Sequence, residues 1–497
     1  MRIRRSGGAS LIALSLLVTA CSSNQGASTA PSSAATQSAP AASSGASEST
    51  APASAGSSAG ASSGASESAP ASGGATIQAS GAISAFGMSY DTGDTIAKER
   101  VDYFKEQYKD VTVKFSESGF DPQQFVTALQ SSNPPDVVSI ERWRIGTYVG
   151  SGVLQPLDDC ISKAGVDMSN YRESAVKAVT FNGKVYGLPQ FFWVSNWLVD
   201  DDLFKEAGLD PATWDVSKWD QISAANDALL SKTKTKVGID PKVSDNGDRF
   251  PMWVAAAGGS LISDDGKTAQ LDSQQVIDAV TFGKKLIDAH GGLTKFKDKL
   301  GQTGDFFGAE NGFKNNLEGA FPMQQWYLNV LASATPDTKF TVVPFKSTQG
   351  QPVTMAEGDA LAITANSKNK DAACAFITAM TSTDAWVRAA TKRASDAKAK
   401  NEIQTGTSTG NKAAEDKIFN SIVDTSGNQV FTDAVKNYYG TFDTAFELPA
   451  TTAAEDFRQA WIDGVNAAVS GQKDPAAAMK DAQQVAQQAL DSAPAAP

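Results

Sequence analysis

From Ile83 onward the sequence alternates between short apolar segments and longer segments of helical spacing, and this alternation constrains the fold more than any other feature. "AISAFG" is apolar and strand-length; the next segment sets Ile96, Val101, Phe104 and Tyr108 at helical intervals, and "VTVKF" then alternates with the period of a strand. A helix starting near Pro122 and the apolar "DVVSI" continue the series, which predicts an α/β fold with a mainly parallel sheet covered by helices. Sheets of this kind bind ligands beyond the carboxyl ends of their strands. The loops at those ends are "GMSYDTGD" and "ERWRIG", each polar and aromatic at once. After Pro189 longer helices follow. The strand-like "FTVVPF" (340–345) and the Gly/Pro/Gln stretch behind it lead to "GDALAIT", where the chain returns to apolar strand character. Asp474 and Pro475 form an N-cap and first-turn pair for a last helix with Met479, Val485 and Leu490 inward.

The N-terminus sets the compartment. Arg2, Arg4 and Arg5 precede an apolar run, Leu11 to Ala20, too short to span a bilayer and suited to a signal peptide over 1–20. The run ends in "VTAC", which resembles the bacterial lipobox and marks Cys21 for lipidation. Residues 21–75 are that cysteine and a stalk of Ser, Ala, Gly, Thr and Pro, whose composition predicts disorder because it buries too little apolar surface to offset ordering entropy. No other stretch has the continuous apolar length of a spanning helix, so the membrane is reached through the lipid anchor only. The remainder exceeds what one core usually serves, which predicts two lobes. The net charge of −12 becomes −15 without the signal's arginines and argues against nucleic acid as a partner. Cys160 and Cys374 remain as a pair in an oxidising location, either bonded or two buried thiols.

Several pieces in order resemble the extracellular solute-binding proteins of ABC importers, family 1, the maltose-binding-protein-like group. They are "PPDVVSI", "GSGVLQPLDD", "FNGKVYGLPQ", "LFKEAGLDPATWD", "DDGKTAQLDS", "LEGAFPMQQWYL", "GDALAITANSKNKDAACAFITAMTS" and "VSGQKDPAAAMKDAQQ", spanning about Ile83 to Leu490. The resemblance implies a type II periplasmic-binding-protein fold of two α/β lobes joined by a hinge of crossing segments. On this reading 76–189 and 353–395 form the N-terminal lobe, 190–352 the C-terminal lobe, and 396–497 a helical part mainly on the C-terminal lobe. It implies a monomer that captures a sugar in the cleft and presents it to a membrane permease from the outer face of the cytoplasmic membrane. It also places both Cys160 and Cys374 in the N-terminal lobe.

The same resemblance directs attention to particular side chains. Ser89, Tyr90 and Asp91 follow the first strand, and Glu141, Arg142 and Trp143 follow "DVVSI". "YGLP" leads into the first crossing, so Phe192 and Trp193 are expected at the solute and Trp197 in the core. Trp326 matches the family's cleft aromatic. Gly358 and Asp359 open the returning strand, where a carboxylate departs from the family pattern, and Phe250 is a weaker cleft residue. Aromatic faces suit the apolar C–H faces of sugar rings, with carboxylates accepting hydroxyl hydrogen bonds around them.

Two other readings stay open: a polyamine or other amine solute, favoured by Asp91, Glu141 and Asp359, and a secreted glycoside-processing enzyme, since carboxylate pairs abound in an acidic chain. The single histidine, His290, sits at a helix end in "IDAHGGL" and suits a C-terminal cap. "DGKT" lacks the first glycine of a phosphate loop, Leu261 standing in its place, and Tyr438 and Tyr439 suit packing. No metal or cofactor is expected, and no catalytic residue. If Cys21 is the lipidated first residue, mass spectrometry of the N-terminal peptide from the membrane fraction will return a diacylglyceryl-modified Cys21; an unmodified Cys21 or another start excludes it.

Overall fold

The computed structural model describes residues 77–88, 95–116, 119–244, 247–425 and 427–497. The signal segment, Cys21, the stalk and Ser89, Tyr90 and Asp91 lie outside the described residues. Thirteen strands occur in chain order among those described: β1 (Gly81–Phe86), β2 (Val111–Phe115), β3 (Val137–Glu141), β4 (Thr180–Phe181), β5 (Lys184–Val185), β6 (Leu188–Pro189), β7 (Trp193–Asp200), β8 (Val237–Ile239), β9 (Glu318–Gln324), β10 (Phe340–Val343), β11 (Thr354–Glu357), β12 (Asp359–Ile363) and β13 (Ala445–Phe446). β4 and β5 form a small ribbon of their own.

The first sheet runs β2-β1-β3-β12-β6. β1 is parallel to β2 and β3, as the β-α-β reading predicts, and β12 enters antiparallel to β3 and β6. "VVSI" reads as continuously apolar because both of its faces are covered. Val137 packs with Leu361 and the helix Lys370–Thr381, whereas Val138 and Ile140 pack with Phe125 and Tyr148 on the opposite face. Cys160, on the helix Asp158–Ala164, is bonded to Cys374 with Cα atoms 5.6 Å apart. The bond closes a separation of 214 residues, a constraint on the unfolded chain of about 5 kcal/mol in the loop-entropy account.

The second sheet runs β13-β11-β7-β9-β8, with β10 on β7 as well. It is mixed where a mainly parallel sheet was expected. The reason is local: β7 starts at the hinge and β11 ends there, so the two run in opposite directions where they pair at Trp193 and Glu357. β7 also pairs antiparallel with β9 and β10. Trp197 is fully buried, stacked on Phe345 at 5.4 Å and edge-on to Trp253 at 5.7 Å, so it belongs to the core of the second lobe.

The chain passes from the first sheet to the second through Gln190–Phe192 and returns at Gly358, since β11 still belongs to the second sheet. Arg142, expected at the ligand, is 1% exposed and locks this hinge. Its backbone N–H donates to Gly358 O at 3.0 Å. Its Nε donates to Glu447 Oε2 at 2.9 Å and its Nη2 to Glu447 Oε1 at 2.9 Å, while Nη1 reaches the carbonyl of Phe191. Gly358 is also a hinge residue, and with Arg142 it lines the pocket beside Trp143. Its φ is +136°, and a Cβ there would stand 2.3 Å from Phe191 O.

Arg142→Met is expected to lower stability by roughly 3–5 kcal/mol, because it leaves the buried carboxylate of Glu447 without its partner. Adding Glu447→Gln to that variant should restore part of the loss. Urea denaturation measures both, and full stability in Arg142→Met would refute the assignment.

Candidate functional site

The end of each sheet that meets the hinge carries polar and aromatic side chains. In the second lobe Trp193 opens β7 and lies in register with Glu357, the last residue of β11, while Ser195 is in register with Gln324, the last residue of β9. Trp326 follows two residues later. Its Nε1–H donates to Gln324 Oε1, Gln324 Nε2 donates to Glu357 Oε2 at 2.6 Å, and Arg249 Nη1 donates to the same oxygen at 2.5 Å. This chain of bonds holds the Trp326 ring and joins it to the hinge strand.

In the first lobe Glu141 ends β3 directly opposite Asp359 at the start of β12, so two carboxylates share one face of the sheet. Glu141 Oε2 accepts from Arg144 Nε at 2.9 Å. The side chain of Asp359 has no hydrogen-bond partner among the described residues. Burial, and after it the nearby Glu141 carboxylate, push the Asp359 carboxyl up to about 7, against a smaller opposing pull from Arg142.

Trp143 lies where the lobes meet. Its ring has the Arg144 guanidinium carbon at 4.1 Å and that of Arg458, from the helix Ala454–Val469, at 4.7 Å from the centroid. Arg144 Nη1 also donates to Glu455 on that helix at 2.9 Å, and Arg458 Nη2 to Asp248 at 2.8 Å.

Two pockets flank these groups. One, of about 720 Å³, includes Trp143, Glu357, Phe457 and Arg458; the other, of about 580 Å³, includes Phe191, Trp193 and Trp326. The Trp326–Gln324–Glu357 chain runs from one to the other. Aromatic faces bordered by amide, guanidinium and carboxylate groups can bind a ligand that is apolar on its faces and hydrogen-bonding at its rim.

Of the expected site residues, the structure brings Glu141, Trp143, Trp193, Trp326 and Asp359 to this region, and moves others elsewhere. Phe192 is fully buried among second-lobe residues, with the Arg172 guanidinium 4.9 Å from its ring, and so is unavailable to a ligand. Phe250 is likewise fully buried, stacked on Trp461 at 5.8 Å. The polar residues directly before it, Asp248 and Arg249, pair instead with Arg458 and Glu357. Arg458 and Gln324 went unremarked because each is single and polar in an otherwise ordinary helix or strand. His290 is buried: its Nε2 accepts from Gly238 N–H at 3.1 Å, so Nδ1 is the protonated nitrogen and caps Leu286 O at 2.8 Å. Among the described residues no group of three His, Cys, Asp or Glu gathers as metal ligands would.

The sequence profile of the bacterial extracellular solute-binding proteins matches residues 90–385. Solved structures share the fold. An ABC transporter solute-binding protein from Thermotoga lettingae, bound with alpha-D-tagatose, superposes with a TM-score of 0.64 at 20% identity, covering 83% of this chain and 100% of its own. The GacH receptor of Streptomyces glaucescens, studied with acarbose, gives 0.64 at 18% identity over 83% and 99%. UgpB of Mycobacterium tuberculosis, in complex with glycerophosphocholine, gives 0.63 at 19% over 83% and 99%.

The Asp359 carboxyl yields a pH test. Unfolded, it titrates near the ordinary Asp value of 3.8, and folded at about 7. Between these values the folded protein holds a proton that the unfolded chain has released, so this group's contribution to stability falls as pH rises through the window and is level above it. Asp359→Asn should therefore match wild type near pH 4, exceed it increasingly up to about pH 7 and keep a constant advantage above that in urea denaturation. A pH-independent difference between the two proteins would remove the case for a raised Asp359.

Proposed function

This chain belongs to the bacterial extracellular solute-binding proteins, and from that membership we propose that it is the sugar-capturing receptor of an ABC importer. The observation that carries the reading is the pair of aromatic-lined pockets at the hinge, one with Trp143, Glu357 and Arg458 and the other with Trp193, Trp326, Gln325 and Asn329, tied together by the Trp326–Gln324–Glu357 bonds. Sugar rings lie against the indoles; hydroxyls bond to the carboxylates and amides. Closure follows because a ligand shifts a conformational equilibrium only by its differential affinity, and a solute that touches both lobes favours the closed form. The closed form is then what a membrane permease receives. The sugar leaves unchanged, since the receptor has no catalytic role. Cys21 carries the lipid anchor, and the Ser/Ala/Gly segment 22–75 serves as the tether of a monomeric receptor. A second reading, an amine-bearing solute, draws on one feature: Asp359, beside Glu141, has no partner side chain among the described residues.

Trp326→Ala should weaken the best-bound sugar by roughly 2–4 kcal/mol, as loss of a binding hot spot does, with the fold intact. Trp197→Ala should instead lower thermal stability, by about 3–5 kcal/mol. Calorimetry against mono- and oligosaccharides with polyamine controls decides. Unchanged affinity in Trp326→Ala removes this cleft, tighter binding of polyamines favours the second reading, and hydrolysis of the bound sugar makes the protein an enzyme.

A further inference from the structure

Beside the tryptophans, the smaller pocket has a wall that the sugar-receptor reading does not use. Its far side is built by first-lobe helices, with Ile96 from Thr95–Gln107 and Arg393 from Thr383–Ala399, and by the connecting segment Thr405–Ser408. That segment is rigidly held. Gln404 N–H donates to Asp424 O at 3.0 Å, Gly410 N–H donates to Gln190 O at 3.0 Å, and Thr409 bridges to Phe191 next to the hinge. Gly406 has φ +89°, and a Cβ there would come within 2.8 Å of Val423.

The polar groups on this wall are partly used up and partly open. Arg393 Nη1 donates to Thr407 Oγ1 at 3.2 Å, and Thr405 Oγ1 donates to Asn329 Oδ1 at 2.7 Å. The second bond occupies the Asn329 carbonyl and turns its amide into an N–H donor without a partner among the described residues. Ser408 is 7% exposed, lines the pocket, and its hydroxyl has no partner among those residues either. A hydroxyl that faces the pocket with no protein partner is free to bond a ligand hydroxyl, and in a site partly closed to water such a bond discriminates between ligands that can make it and those that cannot.

We propose that this pocket is an end subsite that receives the terminal ring of a glycan chain, with the ring against Trp193 and Trp326 and its hydroxyls on Ser408 and Asn329. The chain would extend from there toward Trp143 and Arg458, along the line of the Trp326–Gln324–Glu357 bonds. The receptor then recognises a chain end rather than an internal stretch, because first-lobe helices stand behind the terminal ring. This inference rests on the sugar-receptor reading.

The test uses the full chain and maltotriose, mannotriose and cellotriose as probes. For the trisaccharide that binds most tightly, two end-modified forms are made, one reduced to the alditol and one carrying a 4,6-benzylidene acetal at the other end. One modification should weaken binding at least about thirtyfold and the other by less than about threefold. Ser408→Ala and Asn329→Leu should each weaken the unmodified sugar by about five- to twentyfold, with an unchanged melting temperature. Equal tolerance of both end modifications, or wild-type affinity in either variant, overturns the end subsite while leaving the receptor reading in place. Failure of the wild type to bind any of the three sugars overturns both.

Discussion

One guanidinium holds the connection between the lobes. Arg142 is positioned by the end of β3, and from there its backbone and side chain reach Gly358, Phe191 and Glu447, which belong to three separate stretches of chain. Arginine suits this place because its planar fork can serve a carboxylate and a carbonyl at once without losing its charge. The aromatic and acidic groups of the cleft are within a few residues of these anchor points: Trp143 follows Arg142, Trp193 follows Phe191, and Glu357 and Asp359 flank Gly358. The hinge thus fixes the geometry from which the binding surface projects.

Charge in the cleft is mostly balanced in pairs. Arg249 faces Glu357, Arg458 faces Asp248, and Arg144 bridges Glu141 and Glu455. Arg144 and Glu455 come from different lobes, so part of this pairing spans the cleft itself. Asp359 is the acidic group set apart from that arrangement, and the raised protonation of its carboxyl follows from burial beside Glu141. A group that can donate below neutrality and accept above it is suited to hydroxyl ligands, whose O–H can do either.

Much of the architecture was legible in the sequence, for physical reasons. The parallel core of the first sheet followed from "AISAFG", "VTVKF" and "DVVSI" with a helical pattern between the first two. The assignment of Trp197 to the core held because it sits deep within a strand. Other features were not legible. The alternation that marks a strand does not reveal which neighbour it pairs with, so the antiparallel entry of β7 was missed. Arg142 and Trp143 are adjacent and equally plausible in a loop, yet one faces the hinge and the other the cleft, and only the partners Glu447 and Arg458, about three hundred residues later, distinguish them. Phe192 and Trp193 divide in the same way.

The first lobe is assembled from pieces far apart in the chain. β1 to β3 and β6 come early, whereas β12 and the helix bearing Cys374 arrive only after the whole second sheet apart from β13 has been made. A family member exported from its amino end therefore delivers the opening strands to the outside first, yet the central neighbour of β3 emerges well over a hundred residues later. The lobe that begins first must finish last. Until then its half-built sheet presents the bare edge of β3 and Cys160 lacks the partner it is bonded to in the finished lobe, so the Cys160–Cys374 bond is a covalent mark by which the completion of this lobe can be dated.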